Sequence, residues 1–284
     1  MNEKTSPLVG IITTQVPFAE KVLEFVNYHI NLGVDRILLF CDGGEEYLIN
    51  ILGNYKEVTL FLCDEQYWIR LLGEKPQTLE DKIQGNMRFG SKLLYEEGVE
   101  WVICIDYDEM IHAQGKGLKK ALSETPAEVD FVRLKPFEAI AKKRRYSNSF
   151  HTNWFRRIPE ENCGSLDYIQ EFVLYLKMGN QKYLTRRGFL GHTEGKCFFR
   201  PSLSMAKYNQ HCPNPVSHAG REMGSEQLLL LHFDCKPFQE WYRRWYFRLF
   251  HETYPRRVGK KRRYQSNLIQ QAFLENKSKL KKIY

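Results

Sequence analysis

No run of about 18 uninterrupted apolar residues, the length a membrane-crossing helix needs, occurs in the 284-residue sequence. Residues 1–7 are polar and no apolar signal core follows them, so neither a membrane span nor secretion is expected. Cys-X-X-Cys spacing is missing as well. The seven cysteines are odd in number and several lie inside apolar runs, which reads as reduced thiols in a cytoplasmic protein. A zinc site on Cys212 with His211 and His218 would have a spacing that fits no common zinc motif. Neither Gly-X-Gly-X-X-Gly nor Gly-X-X-X-X-Gly-Lys occurs, and both dinucleotide binding and P-loop chemistry are therefore disfavoured.

What is present is a globular composition, 43% apolar and 14% aromatic, with enough material for a substantial core. The net charge of +8 hides a division. Residues 1–130 carry 12 Lys and Arg against 22 Asp and Glu, whereas residues 131–284 carry 30 against 12. Two tasks along one chain are implied. The basic half suits an anionic acceptor, a phosphate group, an anionic membrane or nucleic acid.

The first half alternates strand and helix patterns. Strands are expected over 8–13, 36–41, 58–63 and 101–106, and helices over 18–32, 45–55 and 79–97, with Gly33 closing the first helix. That order predicts an α/β fold with a Rossmann-like, mostly parallel sheet joined by right-handed crossovers. The run from Trp101 to Ile111 is the most informative. An apolar strand there delivers Asp106 and Asp108 to its carboxyl end, and period two would set both on one face. Two converging carboxylates repel one another unless a cation or proton lies between them. A hard divalent metal is the economical explanation, and it points to a nucleotide-diphosphate site.

Three stretches carry a resemblance. Glu24-Phe25-Val26-Asn27-Tyr28-His29 with Leu32-Gly33-Val34-Asp35, the strand into Asp42-Gly43-Gly44, and Ile105-Asp106-Tyr107-Asp108-Glu109-Met110-Ile111 together resemble glycosyltransferases of the GT-A fold, in the group of families 2 and 92. Gly195-Lys196-Cys197-Phe198-Phe199-Arg200-Pro201 is similar to that group's Gly-Lys-X-hydrophobic-X-Arg-Pro segment. Leu231-His232-Phe233-Asp234-Cys235-Lys236-Pro237-Phe238-Gln239-Glu240 is similar to its His-Tyr-X-X-Lys-Ser-X-Glu-Glu segment, departing at Phe233 and Pro237.

The resemblance implies a metal-dependent transferase that takes a sugar from a nucleotide-diphosphate donor, a UDP-sugar, with Mn2+ or Mg2+ as cofactor. Its implied acceptor is a glycan, a lipid-linked sugar or a lipopolysaccharide. By that analogy Asp106, Asp108 and His232 hold the metal, and Asp42, Arg88, Asp106 and Lys196 meet the nucleotide sugar. Asn86 and Arg88, on the helix before the metal strand, resemble residues that approach the nucleotide in related enzymes, with solvent exposure of that helix as the competing reading. Arg200 is a second cation beside Lys196. An acceptor-side base is expected 80 to 100 residues after the metal motif, where Glu194 lies, with Glu222 and Glu226 as further candidates. Residues 1–130 form the donor and metal half, 131–237 the acceptor half of the same domain, and 238–284 a basic helical extension.

Over residues 238–263, Phe238, Trp241, Tyr242, Trp245, Tyr246 and Leu249 share one helical face, while Arg243, Arg244 and Arg248 lie elsewhere. Such a stripe packs on its own domain or, with Lys260, Lys261, Arg262 and Arg263 beyond it, lies on the anionic inner face of a membrane. Two rival functions remain at this level. A nucleotidyltransferase could use the same carboxylates, although 12–17 lacks the Gly/Arg/Lys-rich loop it would need. A nucleic-acid-binding protein would explain the basic half but not the carboxylate strand.

Overall fold

A computed structural model of the chain describes residues 6–15, 21–42, 47–140, 152–157, 194–216, 220–234, 237–250 and 260–275, with positions 150, 169, 173, 176 and 280. The chain divides into two compact units. The first comprises Met1–Pro76, Glu80–Pro136 and Glu194–Leu231; the second comprises Gln77–Leu79, Phe137–Thr193 and His232–Tyr284.

Strands β1 (Val9–Gln15), β2 (Arg36–Cys41), β3 (Val58–Leu62) and β4 (Trp101–Cys104) of the first unit pair in parallel. Helices α1 (Val22–Leu32), α2 (Tyr47–Leu52), α3 (Glu65–Leu72) and α4 (Leu79–Glu96) alternate with them. The α/β class and the Rossmann-like parallel strands therefore stand as the sequence predicts. Helix α1 buries Val22, Phe25, Val26 and His29, one stripe at helical spacing, and ends at Gly33, whose φ of 100° lies in the left-handed region. Helix α3 escaped the sequence pattern. Its start is marked by Asp64, whose carboxylate accepts the Tyr67 N–H at 2.7 Å.

Beyond β4 the sheet changes direction. Strand β8 (Lys196–Phe199) runs antiparallel to β4, and β6 (Phe131–Ala139) runs antiparallel to β8. With β5 (Glu109–Ala113) and β11 (Glu222–His232), the order is β3-β2-β1-β4-β8-β6-β11-β5. Helix α5 (Leu118–Ser123) follows β5, and a two-stranded ribbon joins β9 (Met205–Lys207) to β10 (Asn214–Pro215). Apolar residues of β1, β2, β4, β5, β6, β8 and β11, among them Ile11, Ile37, Ile103, Val132, Phe198 and Leu230, merge into one buried cluster with Phe25 and Val26 of α1, and Val58, Leu60 and Leu62 of β3 pack against it.

In the second unit β7 (Phe155–Arg157) pairs with residues 137–139 at the end of β6, and Phe233 sets its ring edge-on to Phe150 and Phe155. Helices α6 (Phe238–Phe250) and α7 (Lys260–Glu275) lie either side of 251–259, which fall outside the described residues. The aromatic stripe of α6 packs on its own unit. Trp245 is buried with Ile269, Ala272 and Leu280, and Phe238, Trp241, Tyr242 and Leu249 pack around them. Tyr242 lies 4.9 Å from Phe273, ring to ring, while Tyr246 of the same stripe is 54% exposed. Among the described residues, no helix is long and apolar enough to cross a membrane.

Candidate active site

The chain leaves β4 at Cys104 and turns. The Glu109 N–H donates to the Asp106 carbonyl at 2.9 Å, and the Asp106 N–H donates to a Glu109 carboxylate oxygen at 2.8 Å. This reciprocal pair replaces the extended backbone that was expected through Asp108, so the two aspartates do not share a strand face. Asp106 keeps 41% of its side chain exposed, whereas Asp108 is 2% exposed. One carboxylate is open to a ligand and the other is almost closed to water.

Lys196 supplies the cation that converging acids require. Its ammonium, 1% exposed, lies 3.3 Å from Glu109 and 3.5 Å from Asp106. Burial by itself lowers an amine's pKa, but Asp106, Glu109 and the Cys104 thiol outweigh it, so the pKa is raised and the charge is kept. Two features aim this side chain. Strand β8 begins at Lys196 beside the end of β4, and Gly195 takes a φ of 71°. A Cβ at Gly195 would overlap the Leu134 carbonyl oxygen, so only glycine fits before the lysine.

The neighbouring strand ends gather a second polar group. The Lys82 ammonium of α4 lies 2.6 Å from Asp42, at the carboxyl end of β2, with side chains 6% and 12% exposed. Asn86 donates to the Thr14 hydroxyl at 3.0 Å and accepts from the Tyr67 hydroxyl at 2.7 Å. It is fully buried and tied into the core, a structural placement. Burial raises the pKa of Tyr67, which stays neutral and can donate. Lys82 and Glu109 were not singled out from the sequence. Lys82 and Asn86 are four apart on a face otherwise built from Ile83, Met87 and Leu94, and polar residues on such a stripe were the available signal.

The remaining expected residues fall in different places. Arg88 is exposed and lines a cavity of about 170 Å3 with Asp81, Gln84, Lys207 and Tyr208. Arg200 stacks its guanidinium 4.1 Å from the Trp101 ring centre and donates to the Val129 carbonyl, so it holds strands together. Glu194 is exposed, and its carbonyl accepts from Arg133. Glu222 is gripped on both oxygens by Arg133, at 2.5 and 2.6 Å. In the second unit His232 ends β11, half-buried, and one of its ring nitrogens lies within 4.8 Å of an Asp234 carboxylate oxygen. Asp234 also accepts from Arg244 at 3.1 Å.

His29 supports the site from below. Its Nδ1 donates to the Phe25 carbonyl at 2.8 Å, and its Nε2 accepts the Ile111 N–H at 3.3 Å. Tyr28 donates to the Ile111 carbonyl at 2.9 Å, so α1 clasps the strand that begins at Glu109. Full burial pushes the His29 pKa down to about 4, and the ring is neutral.

The family model for glycosyltransferase family 92 matches residues 11–271. The chain belongs to glycosyltransferase family 92. Two glycosyltransferase-like proteins of Arabidopsis thaliana are similar to it. One is 23% identical over 258 residues, covering 82% of this chain and 48% of its own length; the other is 24% identical over 214, covering 67% and 45%. The family 92 chain thus spans about half the length of these curated relatives. Among solved structures, HddC from Yersinia pseudotuberculosis shares 14% identity over 53% of this chain and 70% of its own, with a TM-score of 0.30. A 4-diphosphocytidyl-2C-methyl-D-erythritol synthase shares 12% over 70% and 77%, with a TM-score of 0.31. Scores at that level carry no weight for activity.

Proposed function

We propose that this family 92 glycosyltransferase moves a sugar from a UDP-sugar to a hydroxyl of a glycan, lipid-linked or lipopolysaccharide acceptor, with Mn2+ or Mg2+ as cofactor. The observation that carries the reading is the group Asp106, Glu109 and Lys196, with Asp108 in the same turn, just past the carboxyl end of the parallel strand β4, where open α/β sheets take their ligands. The donor set suits a hard cation, because it offers carboxylate oxygens. We assign Asp108 as the first metal ligand, Asp106 as a ligand through water or a contact to the ribose, and His232 as a further ligand. A bound dication would neutralise the departing diphosphate.

The chain's own residues would do the rest. Lys196 holds the turn from Asp106 to Glu109 in shape and keeps a positive charge behind the diphosphate. Asp42, oriented by Lys82, suits the base or ribose of the nucleotide. Glu194, open to water, is the carboxylate we assign to the acceptor side if the reaction inverts the anomeric carbon. Basic residues in the second half support an anionic acceptor, and contact with the inner face of an anionic membrane would run mainly through charge, since Trp245 is buried and Trp241 and Tyr242 pack beside it, with Tyr246 still exposed.

A thermal-shift panel of UDP-, GDP- and CMP-sugars, with and without Mn2+, tests the donor. Stabilisation by UDP-sugars with Mn2+ is expected, and UDP should be the product of turnover. Release of pyrophosphate would favour nucleotidyl transfer. Retention of RNA through gel filtration, lost at high salt, would favour the nucleic-acid alternative. Co-sedimentation with anionic but not neutral vesicles at low salt is expected of the membrane contact; equal pelleting with both would exclude it.

A further inference from the structure

Away from this site, the first unit brings together three side chains that the sequence keeps apart. Cys197 of β8 is buried and Cys212 is half-buried. Their sulfurs and a carboxylate oxygen of Glu222 all lie within 4.8 Å of one another. Cys212 donates to Glu222 at 3.9 Å. Arg133, the register partner of Cys197, grips Glu222 from the other side.

We infer that Cys197, Cys212 and Glu222 bind a zinc ion, at a place distinct from the sugar-transfer site. Zinc takes thiolate sulfur at about 2.3 Å and carboxylate oxygen at about 2.0–2.2 Å in a tetrahedron, which sets neighbouring ligand atoms roughly 3.5–3.8 Å apart. The observed separations reach that geometry with shifts of about 1 Å or less. Charge also balances. Two thiolates and one carboxylate carry three negative charges, which the dication and the Arg133 guanidinium cancel, and an arginine that orients a ligating carboxylate is a familiar outer partner. Both thiols lose their protons to solvent when the metal binds.

The site differs from the one the sequence suggested. His211 donates Nδ1 to the Gly195 carbonyl at 3.0 Å and is not in the group, while His218 lies outside the described residues. A fourth position would be left to water. The gain is structural: the only strands described between Arg200 and Arg221 are the short β9 and β10, and a metal would fasten that stretch at Cys212 to β8 and β11. A disulfide would use the two sulfurs but give the carboxylate no part.

The test uses the full chain purified with zinc and without reductant, then gel-filtered. One equivalent of zinc by elemental analysis is expected, together with a thiolate-to-metal absorption band after cobalt exchange. Cys197 and Cys212 should resist alkylation until a chelator is added. Cys212→Ser, at a half-buried position, should weaken zinc binding at least tenfold, and Glu222→Gln should weaken it less. Four results would overturn the assignment: less than a tenth of an equivalent of zinc, unchanged binding in Cys212→Ser, alkylation independent of chelator, or a Cys197–Cys212 disulfide in the intact mass.

Discussion

The Lys196 ammonium lies 3.3 Å from a Glu109 carboxylate oxygen, and neither side chain is more than 1% exposed. Removing one partner of such a pair strands the other charge in a dry interior, at a cost of about 3–5 kcal/mol. Lys196→Met should therefore lower the urea midpoint sharply. Adding Glu109→Gln to that variant should recover a large part of the loss, because the stranded carboxylate is then gone. A double variant no more stable than Lys196→Met would mean that the pair does not act as a unit.

Acid should loosen the clasp that His29 makes between α1 and β5. The neutral ring is fixed by one donated and one accepted hydrogen bond, and its pKa of about 4 in the folded chain lies below the ordinary value of 6.5. Between those values the unfolded chain binds a proton that the folded chain refuses. Stability is whole above pH 6.5 and falls as pH drops toward 4, by about 1.4 kcal/mol per unit. The full loss is about 3 kcal/mol. Chemical denaturation at steps from pH 7 to 4 measures the slope, and His29→Gln should flatten it; an unchanged slope in that variant would assign the effect to other groups.

Gly195→Ala is expected to disturb both fold and site. The added methyl group meets a positive φ and the Leu134 carbonyl together, so a loss of about 2–4 kcal/mol should appear in thermal or urea unfolding. Surviving protein should show lower turnover, since Lys196 is the next residue. Wild-type stability in this variant would contradict the tight approach of β8 to β6.

Asp42→Asn separates donor binding from chemistry. Losing a charged contact to the nucleotide should weaken UDP-sugar binding roughly tenfold, about 1.4 kcal/mol, while the metal concentration needed for half-maximal activity stays the same. Calorimetric titration of donor and a metal titration of activity give the two readings. A shifted metal requirement with unaltered donor affinity would move Asp42 away from the nucleotide.

The parallel strands were legible because each is a short apolar run bounded by turn residues, as at Arg36–Cys41 and Trp101–Cys104. Helix α1 was legible from the stripe Val22, Phe25, Val26 and His29. The turn at Asp106 was not, because the hydrogen bonds that bend it come from Glu109, a residue the alternation pattern treats as just another strand position. Lys196 could be seen as a cation in a strand, but its burial depends on a partner nearly 90 residues away in sequence, and no local pattern encodes that. Lys82 was hidden for the same reason: a lysine on a helix reads as solvated until Asp42 is brought beside it. The aromatic stripe of α6 was visible, yet its partner Phe273 lies on the next helix, so sequence alone could not decide between protein and lipid.

The proposed hold of Asp108 on a divalent cation that the sugar donor needs is open to a direct test. Asp108→Asn keeps the size of this buried side chain and removes its charge. UDP-sugar turnover should be compared in wild type and variant, across a Mn2+ titration and in excess EDTA, with circular dichroism to check the fold. No turnover of wild type in EDTA is expected, with restoration by Mn2+ and at least a hundredfold loss in a folded Asp108→Asn protein at every metal concentration. Full activity of wild type in EDTA, or of the variant with Mn2+, would contradict the proposed hold.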